Sequence, residues 1–158
     1  MRRTVLSLAV LAFAPTLVRA QDTTKVEPTP HISPAVGVHY GSPMRASVAG
    51  ALLIDMSQHR NDGVVVGIEV GEHGNEASAG YFRMLGRFGS GYSLRLATLR
   101  TKGEPWNASP HTTYVGGEAS WMIVFGVGAR VGYMRRASKA NGLDPHDNLT
   151  TFGIGIGI

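Results

Sequence analysis

The stretch Gly63-Val64-Val65-Val66-Gly67-Ile68-Glu69-Val70-Gly71-Glu72 has a period of two. Val64, Val66, Ile68 and Val70 share one face, and Gly63, Val65, Gly67, Glu69 and Gly71 share the other. Side chains of an extended chain alternate between faces, so this pattern predicts a β-strand with a continuous apolar side opposite a mostly small one. The same alternation recurs on both sides of the stretch. Toward the C-terminus, Phe125 to Arg136 sets Val127, Ala129, Val131 and Tyr133 against Gly126, Gly128, Arg130, Gly132 and Met134. The last segment sets Phe152, Ile154, Ile156 and Ile158 against Gly153, Gly155 and Gly157. Between these, Phe88 to Leu99 opposes Phe88, Tyr92, Leu94 and Leu96 to Gly89, Gly91, Ser93, Arg95 and Ala97. Thr113 to Ile123 opposes Val115, Ala119, Trp121 and Ile123 to Tyr114, Gly116, Glu118 and Ser120.

Three further strands are less regular. Ile32 to Tyr40 places Ile32, Val36, Val38 and Tyr40 opposite Ser33, Gly37 and His39. Arg45 to Asp55 places Val48, Leu52 and Ile54 opposite Arg45, Ser47 and Asp55. Asn75 to Met84 directs Ala77, Ala79 and Tyr81 outward and then loses its phase at Phe82-Arg83, which reads as a bulge or a strand end. No segment has a convincing period of 3.6.

Eight strands of about ten residues, tilted ~45° and rising ~3.3 Å per residue, each climb roughly 23 Å, close to the ~25 Å apolar band of an outer-membrane barrel. The predicted fold class is all-β, an eight-stranded antiparallel up-and-down transmembrane β-barrel. The two longest connections, 100–112 and 137–147, follow the fifth and seventh strands and so emerge on one side, as external loops do in bacterial barrels.

Alternation alone does not say which face is inside. In a membrane barrel the apolar face meets lipid; in a soluble, lipocalin-like barrel it fills the interior. Here the opposite face is Gly, Ser and Ala with scattered charges. Glycine on a water-facing strand costs entropy and packs nothing. The interior of an eight-stranded barrel is just wide enough for side chains to fill, and it suits small residues beside a few long ones. Val64, Val66, Ile68, Val70, Val127, Val131, Ile154 and Ile156 are therefore expected to face lipid. Glu69, Glu76, Arg95, Glu118 and Arg130 are expected to form a charge network in the lumen, with Arg95 and Arg130 pairing with Glu118 and either Glu69 or Glu76. Buried charges are costly unless paired, and the planar guanidinium suits buried carboxylates. Aromatic residues near strand ends (Tyr40, Phe88, Tyr92, Trp121, Phe125, Tyr133, Phe152) match the interfacial girdles of membrane barrels.

The chain begins Met1-Arg2-Arg3, continues through a short apolar run, and reaches Val18-Arg19-Ala20 before a polar segment. These are the parts of a secretory signal peptide, expected over 1–20 with cleavage after Ala20. A flexible lead-in is expected over 21–31 and the barrel domain over 32–158. Setting aside Arg2, Arg3 and Arg19 leaves twelve basic residues against eleven acidic ones, so the high overall pI gives no case for nucleic-acid binding. Cysteine is absent, which excludes thiol chemistry and disulfides.

The leader, the eight amphipathic strands and the terminal segment Asn148-Leu149-Thr150-Thr151-Phe152-Gly153-Ile154-Gly155-Ile156-Gly157-Ile158 resemble the small eight-stranded outer-membrane barrels of the OmpA/OmpX-like group, over about Ile32 to Ile158. That resemblance implies an outer-membrane location. Such barrels serve structural, adhesive, lipid-modifying or, rarely, conducting roles, and architecture does not choose among them.

The expected role is structural or interactive, in contact with outer-membrane lipid. Lipopolysaccharide or an extracellular protein are candidate partners for the 100–112 and 137–147 loops, and Trp106 is a candidate loop contact. A soluble periplasmic barrel that binds a small hydrophobic ligand is the main alternative. A lipid-modifying barrel enzyme built on His31-x-Ser33, or on His111 with Thr112 and Thr113, is another; neither pair carries a surrounding motif or an identifiable acid. No catalytic set, metal site or cofactor is expected, because the six histidines lack a metal-ligand spacing. An interior filled by side chains leaves no passive pore.

Overall fold

A computed structural model describes residues 30–56, 61–85, 90–124, 126–137 and 147–157. The expected signal peptide (1–20), most of the expected lead-in, most of the 137–147 loop, Phe88, Phe125 and Ile158 lie outside the described residues. Eight strands follow one another: β1 His31–Ser42, β2 Arg45–Asp55, β3 Asp62–Gly71, β4 Gly74–Met84, β5 Gly91–Thr101, β6 Thr113–Val124, β7 Val127–Arg136 and β8 Asn148–Gly157. Each pairs antiparallel with its sequence neighbours, and β1 pairs with β8, which closes the barrel. The closing contact pairs Gly37–Ser42 of β1 with Phe152–Gly157 of β8, so neither outer strand is left as a wholly free edge.

Even strand lengths and a period of two fix the register. Val64, Val66, Ile68 and Val70 of β3 stand beside Ile54, Leu52, Gly50 and Val48 of β2. A shift by one residue would turn the whole apolar set inward. The connections β1–β2, β3–β4, β5–β6 and β7–β8 lie at one end of the barrel, here the loop end. The start of β1, the end of β8 and the other three connections lie at the opposite end, here the terminus end.

Several boundaries depart from the sequence reading. His31 already belongs to β1, and Arg100 and Thr101 belong to β5, so the loop begins at Lys102. The phase of β4 does not break at Phe82-Arg83: Phe82 is buried in the lumen and Arg83 is exposed, paired with Ser93 and Tyr92 of β5. A large apolar residue facing the lumen mimicked a phase change. The irregularity lies instead between β6 and β7, at Met122/Val124, beside a turn where Gly126 has φ 79°. A Cβ on Gly126 would run into the carbonyl oxygen of Gly157. Arg45 does not share the lumen with Ser47 and Asp55; it is exposed, with φ 58°, at the β1–β2 turn.

Candidate functional site: a divided lumen

Most of the valine, isoleucine and leucine side chains of the described strands face outward. Ile68, Leu96 and Ile154 are 65%, 75% and 66% exposed. Val66, Val70, Val127, Val131 and Ile156 are also exposed, and Val64 is half-buried on the same face. Among the described residues, the strand charges outside the lumen are Arg45, Asp62, Arg83, Arg100 and Arg135, each at or next to a strand end. Exposed rings gather toward both ends. Tyr40, Tyr133 and Phe152 stand toward the loop end, and Tyr81 and Trp121 toward the terminus end.

The five charged residues singled out from the sequence all point into the lumen, and strand pairing explains how they meet. Arg95 and Glu118 are directly opposed on β5 and β6, and Arg95 Nη2 donates to Glu118 Oε1 at 2.5 Å. Arg130, on β7, reaches across the lumen to Glu69 on β3. Its Nη1 and Nη2 donate to the two carboxylate oxygens at 2.5 and 2.8 Å. This is the two-pronged geometry in which a guanidinium binds a carboxylate most strongly. Arg130 Nη1 also lies 3.9 Å from Glu118 Oε2, which joins the two pairs into one network. Glu76 is directly opposed to Glu69 and buried, without a direct ion pair among the described residues. Of the two acids offered for Arg130, Glu69 is the partner.

Two members escaped sequence reasoning. His39 Nδ1 lies 3.0 Å from Glu69 Oε2, and the Ser47 hydroxyl donates to Glu69 Oε1. The signal was present in strand parity: His39 and Ser47 sit on the small-residue faces of β1 and β2, and the register places them opposite one another.

This charge layer divides two unlike halves. Toward the loop end, Met44, Leu99, Tyr114, Met134 and Leu149 pack with Ala97 and Ala108 into a fully buried apolar plug. The 102–112 loop folds back over it. The turns that bring it back use positive φ at Gly103 (54°), Asn107 (57°) and His111 (52°). The Thr101 hydroxyl donates to the Ser109 carbonyl at 2.6 Å and accepts from the Thr112 N–H at 2.9 Å. The Ser109 N–H donates to the Tyr114 hydroxyl at 3.0 Å. Trp106 is tied to the β1–β2 turn: its N–H donates to the Pro43 carbonyl, and its carbonyl accepts from Ser42 Oγ. Its ring lies 6.4 Å from that of Tyr40 and 6.3 Å from that of Phe152, so it belongs to the outer rim of the barrel.

Toward the terminus end the lumen is not filled, contrary to the expectation of a side-chain-packed interior. A cavity of about 470 Å³ extends from the charge layer to Gly126 and Gly157. Ala35, Gly37, Gly128, Gly155 and Gly157 form one wall, and Leu53, Val65, Phe82, Met84 and Met122 supply larger apolar side chains. At its deep end are His39, Arg95 and Arg130, with Ser93 and Ser120 sharing a 2.7 Å hydrogen bond.

The His31/Ser33 pair gains an acid that the sequence did not identify. Asp55 Oδ2 is 3.4 Å from His31 Nδ1, and Ser33 Oγ is 3.1 Å from the same nitrogen. A hydrolytic relay uses both ring nitrogens, one toward the nucleophile and one toward the acid. Here the two partners share one nitrogen, so this arrangement does not form that relay. His111 is exposed, and the Thr112 hydroxyl donates to the Pro110 carbonyl.

Compared with protein-family models, with curated proteins and with solved structures, the chain matches none.

Proposed function

We propose that the chain is a transmembrane barrel of the bacterial outer membrane, with a structural or interaction role exerted at its loop end and a lumen closed to ion flow. The observation that carries this reading is the inverted distribution of side chains. Outward positions in the middle of the strands are uncharged and mostly apolar, while charges face inward, where Arg95 pairs with Glu118 and Arg130 with Glu69. Water would leave such an outer surface exposed far beyond the few hundred Å² of apolar patch that soluble monomers carry, whereas lipid covers it. Backbone groups in hydrocarbon must all be satisfied internally, and a closed barrel does this. With both termini on the periplasmic side, the 102–112 and 137–147 loops face outward. Lipopolysaccharide or an extracellular protein are the partners proposed for that face, with Trp106, Tyr40 and Phe152 as part of its aromatic rim.

Two measurements test the reading. Extracted from outer membranes and loaded on an SDS gel without boiling, the protein should migrate differently from the boiled sample, because a closed ring of strands resists SDS until heated. Recovery in the soluble periplasmic fraction with no mobility shift would overturn the membrane assignment. In planar bilayers the protein should give no large, steady conductance, because the plug and the charge layer both cross the lumen. Sustained open currents would overturn the closed lumen.

A further inference from the structure

The cavity at the terminus end goes beyond this reading, since it would exist in a membrane or a soluble barrel alike. Its volume of about 470 Å³ falls in the range of ligand pockets, roughly 300–1,000 Å³. Its polar groups lie at one end only. His39 is held there by its bond to Glu69, and Glu69 is in turn fixed by Arg130 and Ser47. In a neutral imidazole whose Nδ1–H donates to Glu69, Nε2 is an acceptor. That nitrogen lies 3.5 Å from where a Cβ on Gly37 would stand, and it has no partner among the described residues. The fixed ring therefore leaves one nitrogen, Nε2, without a partner at the deep end of a mostly apolar space.

Charge decides the kind of head group that fits. Arg95 and Arg130 line the deep end, but each is already paired behind it, with Glu118 and Glu69, so an anionic head group would find no uncompensated cation there. We propose that this half of the lumen binds a neutral single-chain amphiphile. Its hydroxyl donates to His39 Nε2, and its hydrocarbon tail lies between the small wall of Ala35 and Gly128 and the larger side chains of Leu53, Phe82 and Met122.

Methionines make the two halves separately visible. Met84 and Met122 line the cavity, and Met44 and Met134 lie in the plug. The protein carrying ¹³C-methyl methionine, in lipid nanodiscs or, if it is recovered in the soluble fraction, in buffer, would be titrated with 1-decanol, decane and decanoate and followed by methyl NMR. The expected result is a saturable shift of Met84 and Met122 with Met44 and Met134 unmoved. Decanol should bind about fivefold more tightly than decane, the worth of one net hydrogen bond, and decanoate more weakly than decanol. Ala35→Phe should abolish the shift by filling the space, and His39→Phe should erase the preference for decanol over decane. No saturable shift, or equal shifts at all four methionines, would overturn the site. Tighter binding of decanoate, or equal binding of decane and decanol to the unaltered protein, would overturn the head-group assignment. The titration of the unaltered protein decides these points even if a variant fails to fold. None of these outcomes depends on the gel-shift result.

Discussion

The two halves of the lumen share one backbone and differ in what projects from it. On the loop side of the charge layer, inward positions carry Met44, Leu99, Tyr114, Met134 and Leu149, all essentially inaccessible. On the terminus side, positions of the same parity carry Ala35, Gly37, Ser93, Ser120, Gly128 and Gly155. The width of a barrel follows from its strand number and stagger, so the wall does not close in where side chains are short. Volume absent from the side chains becomes cavity. Strand β6 contains the whole contrast: Tyr114 in the plug, Glu118 in the charge layer, and Ser120 in the open half. One half acts as a core and the other as a receptacle, and the charged layer lets them coexist in a single ring.

Removing that layer is the most severe way to break the comparison. Arg130→Leu leaves Glu69 buried with only His39 and Ser47 as direct partners. Breaking one side of a buried pair costs about 3–5 kcal/mol. Denaturant unfolding in lipid vesicles should show a loss of that size, with the heat-dependent gel shift weakened. The double variant Arg130→Leu with Glu69→Leu should recover most of the loss, because two apolar groups replace the pair without leaving a lone charge. Equal destabilisation by the single and double variants would mean that the layer holds the barrel together by shape rather than by charge.

A smaller effect sharpens the contrast directly. Ala97 is 2% exposed inside the plug, whereas Ala51 lines the cavity. The same enlargement at both sites should therefore give different results. Ala97→Leu overpacks a filled region and should cost about 1–3 kcal/mol. Ala51→Leu enters open space and should stay within roughly 0.5 kcal/mol of the parent, since the added methylenes gain apolar contact without displacing neighbours. Equal losses in denaturant titration would show that the terminus half is as tightly packed as the plug.

The sequence carried the strands well because parity is a local property. Glycine, serine and the five charges fell mostly on one face of each strand, and parity alone nominates Arg95 and Arg130 as partners of Glu118 and one of Glu69 or Glu76. What lay beyond parity was height along the barrel axis. Glu69 and Glu76 are equivalent by parity, and only the position from which Arg130 crosses the lumen selects Glu69. The division into a plug and a cavity was hidden for the same reason. Leu99 and Ser93 share a face of β5, and which of them meets bulky neighbours depends on the stagger of eight strands. The fold-back of Trp106 rests on three left-handed backbone positions, of which only Gly103 is a residue type that strongly announces one.

The finest test of the divided lumen uses two inward glycines on the same strand. At Gly71, toward the plug, an added Cβ would stand 2.8 Å from Met44 Cβ and 3.0 Å from the Ala46 carbonyl oxygen. At Gly67, four residues nearer the termini, its nearest neighbours are ordinary contacts at 3.4 Å (Gly50 O) and 3.5 Å (Ala51 Cβ, Ser78 Oγ). Replacing glycine by alanine in a regular strand gains roughly 0.5–1 kcal/mol by reducing the freedom of the unfolded chain. Gly67→Ala should retain that gain. Gly71→Ala must displace either a packed side chain or backbone, which turns the gain into a net loss of about 1 kcal/mol. Opposite signs in paired denaturant titrations would place the boundary between filled and open lumen within one turn of the pleat pattern on β3. Two gains would mean that the plug yields around Met44, and two losses would mean that the tight packing extends past the charge layer toward the termini.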